Sequence, residues 1–259
     1  MWTTCLPRGL YGKVLPMDEL RKGFHHQLDE IREEVARLAA MVIEAVPRAT
    51  AILLAGDLAG AETLIAADDE IDARSIDIEE RCYQVLALQA PVAGDLRQVV
   101  AVLKMVAEIE RSADLTVNIC KAARRIYRHE LDPRLRGLLQ QMGEQAQQLF
   151  AAALESFEES DPVKAAALDD MDGFLDGLQK EMVQAILVAH ASGKIDIQVG
   201  IQLAVVARFY ERIGDHAVNI GERVRYLVTG WLPEHKGAAR FSSKQRDDTD
   251  GIPFIESTK

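Results

Sequence analysis

The sequence predicts an all-α protein built from two tandem, pseudo-symmetric three-helix bundles, and three observations support this. Apolar residues recur at three- and four-residue steps through long segments, which is the spacing of amphipathic helices. A sustained two-residue alternation, the signature of strands, is missing from these segments. A unit of about 100 residues also occurs twice along the chain.

Three helices are predicted in the first half of the chain. The first covers residues 17–57 and contains Pro47, where we expect a kink or a break, because a proline inside a helix costs about 3 kcal/mol. The second covers residues 58–89 and ends before Pro91, since the residue preceding a proline is disfavoured in the α region. The third covers residues 92–128.

The same arrangement follows in the second half. After a break at residues 131–133, helices are predicted over residues 134–159, 163–191 and 196–230. Pro133 suits a first helical turn, where its missing N–H has no helical partner to lose. Short connections make neighbouring helices antiparallel.

These helices divide the chain into four predicted segments. Residues 1–16 form an N-terminal extension, residues 17–130 the first repeat and residues 131–232 the second. Residues 233–259 are polar and lose the apolar periodicity, so we expect a disordered tail.

The repeat is clearest in the third and sixth helices. The segment Glu110–Ile119 aligns with the segment 101 residues later, Glu211–Ile220, and six of the ten positions are identical. Arg124 and Arg225 share the same offset. A duplicated three-helix unit accounts for these matches.

Carboxylates occur where a plain bundle would place apolar residues. Glu110 and Asp114 lie on one helix face, and Glu110 falls on the apolar seam between Val106 and Ala113. Burying an unpaired carboxylate is very costly. Either the bundle is open at Glu110, or a cation lies between the helices.

The second helix shows the same conflict at Asp69 and Asp72, which could meet the acids of the third helix. Oxygen-rich sites suit hard cations, namely iron, manganese, magnesium or calcium, with zinc also possible. The candidate metal ligands of both repeats are Asp69, Asp72, Glu110, Asp114, Asp169, Asp172, Glu211 and Asp215. On the fifth helix Asp170 and Asp176 are equally placed alternatives. With 41 acidic residues, a solvated helix face without metal is the competing interpretation.

Composition excludes several classes of function. The net charge of −11 argues against nucleic-acid binding, and no apolar run approaches the length of a membrane span. Three cysteines without a C-x-x-C pair, and an N-terminus without a signal-peptide core, lead us to expect a cytoplasmic protein. A ferritin-like enzyme needs Glu-x-x-His motifs, which the chain lacks, and no other catalytic set is present. A metal-free helical adaptor remains the alternative to a metal-binding protein.

The sequence resembles the PhoU family of phosphate-uptake regulators over about residues 17–232. The resemblance rests on residues 68–72, on residues 89–97, and on the two Glu-Arg-x-x-Asp segments that begin at Glu110 and Glu211. It implies paired three-helix bundles whose acidic motifs bind metal ions, including multinuclear iron clusters. Residue by residue, these motifs fall on Glu110 with Asp114 and on Glu211 with Asp215, while the second-helix aspartates are a looser transfer.

The resemblance also implies a function and partners. Such proteins are non-catalytic negative regulators that link the ATPase subunit of the phosphate ABC transporter to a sensor histidine kinase, and many form homodimers. They repress the phosphate-starvation response when phosphate is plentiful. One departure concerns the site itself, because Ser112-Ala113 stands where the second repeat has Ile213-Gly214. We therefore expect the first site to pack differently.

Overall fold

The structure, a computed structural model, describes residues 17–231 and their side chains from residue 22 onwards. This part of the chain contains six helices and no strand, which confirms the predicted fold class. The helices are α1 (Met17–Ala55), α2 (Leu58–Gln89), α3 (Ala93–Arg125), α4 (Pro133–Glu158), α5 (Pro162–Ala191) and α6 (Ile197–Thr229). The segments predicted for residues 1–16 and 233–259 lie outside the described residues.

Aspartate caps fix where four of the helices begin. In each case the side-chain carboxylate accepts hydrogen bonds from backbone N–H groups of the first turn, which have no partner within the helix. The capping residues of α2, α4, α5 and α6 are Asp57, Asp132, Asp161 and Asp196. The helices α4 and α5 also begin with a proline, as the sequence predicts for α4.

Helix α1 continues through Pro47 without the break that was one of our expectations. The neighbouring Val46 and Ala49 are fully buried, and the Thr50 hydroxyl donates to the Val46 carbonyl at 2.9 Å. Packing on both sides of the proline therefore offsets its cost of about 3 kcal/mol.

Helices α1–α3 form the first bundle and α4–α6 form the second. The two bundles join through contacts of α3 with α6 and of α1 with α4. The result is a four-helix layer in the order α2-α3-α6-α5, with α1 and α4 behind it. Helices α3 and α6 run antiparallel, since Glu108 contacts His216 near the middle while Arg125 at the end of α3 contacts Gln202 near the start of α6.

A buried hydrogen bond lies where the bundles meet. The hydroxyls of Thr50 and Tyr210 are 2.7 Å apart, and both side chains are almost fully buried. Gly143 of α4 packs against Thr50 so closely that an added Cβ would lie 2.3 Å from the Thr50 Oγ1 atom. The two bundles therefore share one continuous core, which is filled mainly by aliphatic side chains.

Within the described residues, one helix could cross a membrane by length and composition alone. The segment Lys22–Ala55 of α1 passes this test, but half of its most apolar stretch is buried inside the protein. Leu38 and Val42 of this helix are completely buried in the first bundle. The apolar character of α1 is thus that of a core helix.

Candidate metal sites

The first acidic site lies between α2 and α3 and comprises Asp68, Asp72, Glu79, Glu110 and Asp114. Glu110 is half-buried at the seam position that the sequence indicates. Together with Asp72 and Glu79 it lines an open cleft of about 360 Å³. Burial, followed by repulsion from Asp114 and Asp72, raises the pKa of Glu110. The cleft therefore holds closely spaced carboxylates, whose mutual repulsion the nearby Arg111 offsets only in part.

Asp68, rather than the predicted Asp69, faces the acids of α3. Asp69 is exposed, whereas Asp68 is half-buried and has its pKa raised to about 6. Burial is the main cause of this shift, and the charges of Asp72, Asp114 and Glu110 add to it. The acidic pairs of α2 and α3 thus approach one another as expected, with Asp68 in place of Asp69 beside the predicted Asp72.

The second acidic site lies between α5 and α6 and comprises Asp169, Asp172, Asp176, Glu211 and Asp215. Its Asp172 sits directly over Gly214, where an added Cβ would lie 2.4 Å from the Asp172 Oδ1 atom. Oδ1 is buried and has no hydrogen-bond partner among the described residues. The first bundle has Ala113 at the position of Gly214, and the corresponding Asp72 is exposed. The expectation that the two sites pack differently is confirmed.

Electrostatic repulsion links the members of the second site. The pKa of Asp172 is raised to about 6, first by burial and then by the charges of Asp215, Asp176 and Asp169. Asp169 and Asp215 are themselves exposed at the surface. Of the two alternatives on α5, Asp176 belongs to this group, while Asp170 points to solvent.

Glu211 is the most buried carboxylate of the second site, with 8% of its surface exposed. Its Oε1 atom accepts an ion-paired hydrogen bond from the Arg208 guanidinium. Its Oε2 atom is buried and lacks a hydrogen-bond partner within residues 22–231. Buried polar atoms in proteins are almost always satisfied, so this oxygen is available to a ligand that carries positive charge or donates a hydrogen bond.

A polar network between the two sites escaped the sequence interpretation. The Glu108 carboxylate of α3 accepts hydrogen bonds from His216 Nδ1 at 2.6 Å and from Asn219 Nδ2 at 3.1 Å, both on α6. Burial alone would raise the pKa of Glu108, but the bonds from His216 and Asn219 outweigh it and lower the pKa. The network therefore joins α3 to α6 between the two acidic sites.

The carboxylates face one another in pairs without forming a finished chelate. In the described part of the chain, no group of three or more His, Cys, Asp or Glu side chains is placed so that it could hold a metal ion. The donor chemistry suits a hard cation, and two buried carboxylate oxygens lack hydrogen-bond partners among residues 22–231. Coordination would require these side chains to turn from their present positions.

Comparison with known proteins identifies the family. The family model described as "PhoU domain" matches twice, at residues 35–123 and 139–224. The chain belongs to the PhoU family. Among similar proteins are the phosphate-specific transport system accessory protein PhoU homolog 1 of Mycobacterium leprae, 36% identical, and homolog 2 of Mycobacterium tuberculosis, 35% identical. Each alignment covers 83% of this chain, and 96% and 100% of the relative.

Solved PhoU structures share the fold. The crystal structure of PhoU from Pseudomonas aeruginosa superposes with a TM-score of 0.76 at 28% identity, covering 80% of this chain and all of the other. The phosphate transport system regulatory protein PhoU from Streptococcus pneumoniae gives a TM-score of 0.74 at 28% identity, covering 81% and 98%.

Within this PhoU-family chain, sequence reasoning missed three residues that shape the sites. Asp68 belongs to the motif at residues 68–72, but the apolar spacing of the helix favoured its neighbour Asp69. Arg208 could have been noticed, because the first repeat has Ala107 at that position. The repeat did not single out Glu108, because its counterpart in the second repeat is Phe209.

Proposed function

We propose that this chain is a non-catalytic, metal-binding negative regulator of phosphate uptake and of the phosphate-starvation response. One observation carries the proposal: a PhoU-family chain repeats its partly buried acidic residues in both bundles, on the same outer layer of helices. The relatives are named as accessory proteins of a phosphate-specific transport system, and this supplies the link to phosphate.

The metal part of the proposal rests on the two acidic sites. Iron is the metal that the family resemblance favours, and manganese, magnesium, calcium and zinc also suit carboxylate donors. In the first site Asp72, Glu110 and Asp114 would bind the cation, and in the second site Asp172, Glu211 and Asp215. A bound cation would supply the positive charge that neutralises these carboxylates. Asp69 and Asp169 are exposed and would contribute from the rim.

For partners, we propose the ATPase subunit of the phosphate ABC transporter and the sensor histidine kinase of the phosphate regulon. A regulator without catalytic groups acts by changing which partner it holds, so it must bind at least two. We further propose that the protein works in the cytoplasm as a homodimer, as the family resemblance implies.

A deletion strain tests the regulatory role. A reporter of phosphate-starvation genes is measured in phosphate-rich medium with no gene, the wild-type gene, or the double variant Asp114→Asn/Asp215→Asn. We expect high reporter expression in the deletion, repression by the wild type and incomplete repression by the double variant. Asp170→Asn, an exposed change on α5, is the matched control and should repress fully. Normal repression in the deletion strain would refute the role in phosphate regulation.

Binding to the two partners is tested separately. The purified ATPase subunit and the cytoplasmic part of the kinase are each titrated with this protein. The mass of this protein alone in solution is measured by light scattering. We expect saturable binding of both partners and the mass of a dimer. Failure to bind either partner would contradict the adaptor role, and the mass of a monomer would contradict the homodimer.

A metal-free adaptor in the same pathway is the second candidate. It is favoured by the fact that no three acids converge as a finished chelate in the region covered by the structure. Metal analysis of freshly purified protein separates the two candidates. Metal in the wild type but not in Asp114→Asn/Asp215→Asn supports the first candidate, and metal-free protein that still represses the reporter supports the second.

A further inference from the structure

The two acidic sites differ by one cation next to the seam glutamate. Arg208 precedes Glu211 by three residues and forms an ion pair with its Oε1 atom. The corresponding residue before Glu110 is Ala107, whose methyl side chain cannot do this. The Arg208 side chain is 55% exposed and that of Glu211 is 10% exposed, so the guanidinium lies at the mouth of the site above the carboxylate.

Among the described residues, Glu110 of the first site forms no ion pair like that of Glu211. Arg111 lines the same cleft, and the charge of Lys121 acts on Asp68. Arg111 is adjacent to Glu110 but lies 3.5 Å from the Glu108 carboxylate. Ala107 and Glu110 also both line the open cleft, so the small side chain leaves space beside the carboxylate.

We propose that Arg208 is a built-in counter-cation of the second acidic site, so that the first acidic site binds a divalent cation more tightly than the second. This inference rests on the metal binding proposed above. A cation entering the second site must displace the guanidinium from Glu211 and is repelled by its charge. A cation entering the first site meets the Glu110 carboxylate, which is not ion-paired to a guanidinium among the described residues. The free energy of a charge-assisted hydrogen bond that is partly exposed to water corresponds to about a tenfold difference in the binding constant of the cation.

The experiment is a titration of the full-length, metal-stripped protein with Mn²⁺, in which free Mn²⁺ is quantified by electron paramagnetic resonance. Glu110→Gln and Glu211→Gln assign the stronger and weaker binding steps to the two sites. Arg208→Gln removes the counter-cation. The matched control is Arg212→Gln, which removes the same charge from an exposed position on the same helix.

In the wild type we expect a stronger step that is lost in Glu110→Gln and a weaker step that is lost in Glu211→Gln. Arg208→Gln should strengthen the weaker step about tenfold and leave the stronger step unchanged, whereas Arg212→Gln should change it about twofold or less. The reciprocal variant Ala107→Arg should weaken the first site, with its folding checked by circular dichroism.

Three results would overturn the inference. If Arg208→Gln binds Mn²⁺ as the wild type does, Arg208 is not a counter-cation, although the proposed metal binding survives. If Arg208→Gln and Arg212→Gln strengthen binding equally, only the general charge of the surface matters. If neither the wild type nor any variant binds Mn²⁺, this inference and the metal part of the proposed function fail together.

Discussion

At the scale of single residues, the two acidic sites pack differently because one has a methyl group on α3 where the other has none on α6. Gly214 lets the Asp172 carboxylate settle against α6, where burial and neighbouring acids raise its pKa to about 6. Ala113 occupies the corresponding position in the first bundle, and Asp72 remains exposed. A backbone without Cβ thus allows a charged group to approach a helix that would otherwise exclude it.

Gly214→Ala should therefore destabilise the protein by about 1–2 kcal/mol, even though alanine favours helices by about 1 kcal/mol. The added Cβ would lie 2.4 Å from Asp172 Oδ1 and 2.8 Å from the fully buried Leu175. Urea unfolding at pH 7 measures the change. The control Gly173→Ala adds a Cβ that meets no described atom within 4 Å, so it should stabilise by up to about 1 kcal/mol. Equal stability of the two variants would contradict this account.

At the scale of helices, the sequence was sufficient to predict the number, order and approximate bounds of the elements. The predicted bounds of α2, residues 58–89, coincide with the observed Leu58–Gln89, because an aspartate cap and a proline mark its two ends. On α2 the predicted Asp72 does face α3, but Asp68 lies beside it in place of the predicted Asp69. A helix turns 100° per residue, so choosing between Asp68 and Asp69 requires the packing angle against α3, which local periodicity does not contain.

Tertiary packing, which local sequence signals do not contain, also explains the continuous helix at Pro47. Of the kink or break that local propensity predicts, the break does not occur, because the flanks of Pro47 are buried and the helix continues through it. Local signals therefore failed where tertiary packing decides between nearly equal local alternatives.

Pro47→Ala should stabilise the protein by about 1–2 kcal/mol. Alanine restores the hydrogen bond to the carbonyl four residues earlier, a gain of about 3 kcal/mol, from which the lost stiffness of the unfolded chain subtracts about 1 kcal/mol. The measurement is the free energy of unfolding in urea. Pro133→Ala is the control, since Pro133 occupies the first turn of α4 and should change stability by less than about 1 kcal/mol in either direction. A loss of stability in Pro47→Ala would show that the proline fits its site better than alanine does.

At the scale of the whole molecule, polar contacts join the two bundles along the line where their helices meet. The Glu108 carboxylate, with 15% of its side chain exposed, bonds His216 and Asn219 across this line. On the opposite side, the Arg32 guanidinium of α1 donates to the Phe157 carbonyl and to Ser160 at the end of α4. These contacts hold the two bundles together on both sides of their junction.

Replacing Glu108 by Gln should lower stability at pH 7 by about 1–3 kcal/mol, the value of a charge-assisted hydrogen bond. Since folding lowers the pKa of Glu108, its contribution is present above the ordinary carboxyl pKa and is lost as the pH falls through the folded value. The difference between wild type and variant should therefore shrink below about pH 4. The exposed Glu62→Gln on α2 is the control and should change little. A difference that is independent of pH would contradict the ionic role of Glu108.

The two acidic sites should make the stability of the metal-free protein depend on pH in the direction opposite to that of Glu108. Folding raises the pKa values of Asp68 and Asp172 to about 6, so the folded state binds protons more tightly than the unfolded chain does. Their contribution is most favourable near pH 4 and is lost as the pH rises through about 6. The wild type with chelator should therefore lose stability between pH 5 and pH 7 relative to Asp68→Asn/Asp172→Asn, measured as the difference in melting temperature.

Added Mn²⁺ should remove that difference at pH 7, because a bound cation stabilises the ionised carboxylates, and should have little effect at pH 5, where protons compete for the same oxygens. The double variant Glu62→Gln/Asp170→Asn removes two exposed acids from the same helices and should follow the wild type in both conditions. If the wild type and Asp68→Asn/Asp172→Asn keep the same difference from pH 5 to pH 7, these two aspartates ionise freely in the folded protein. The two acidic sites then lack the repulsion between carboxylates that a bound cation would relieve.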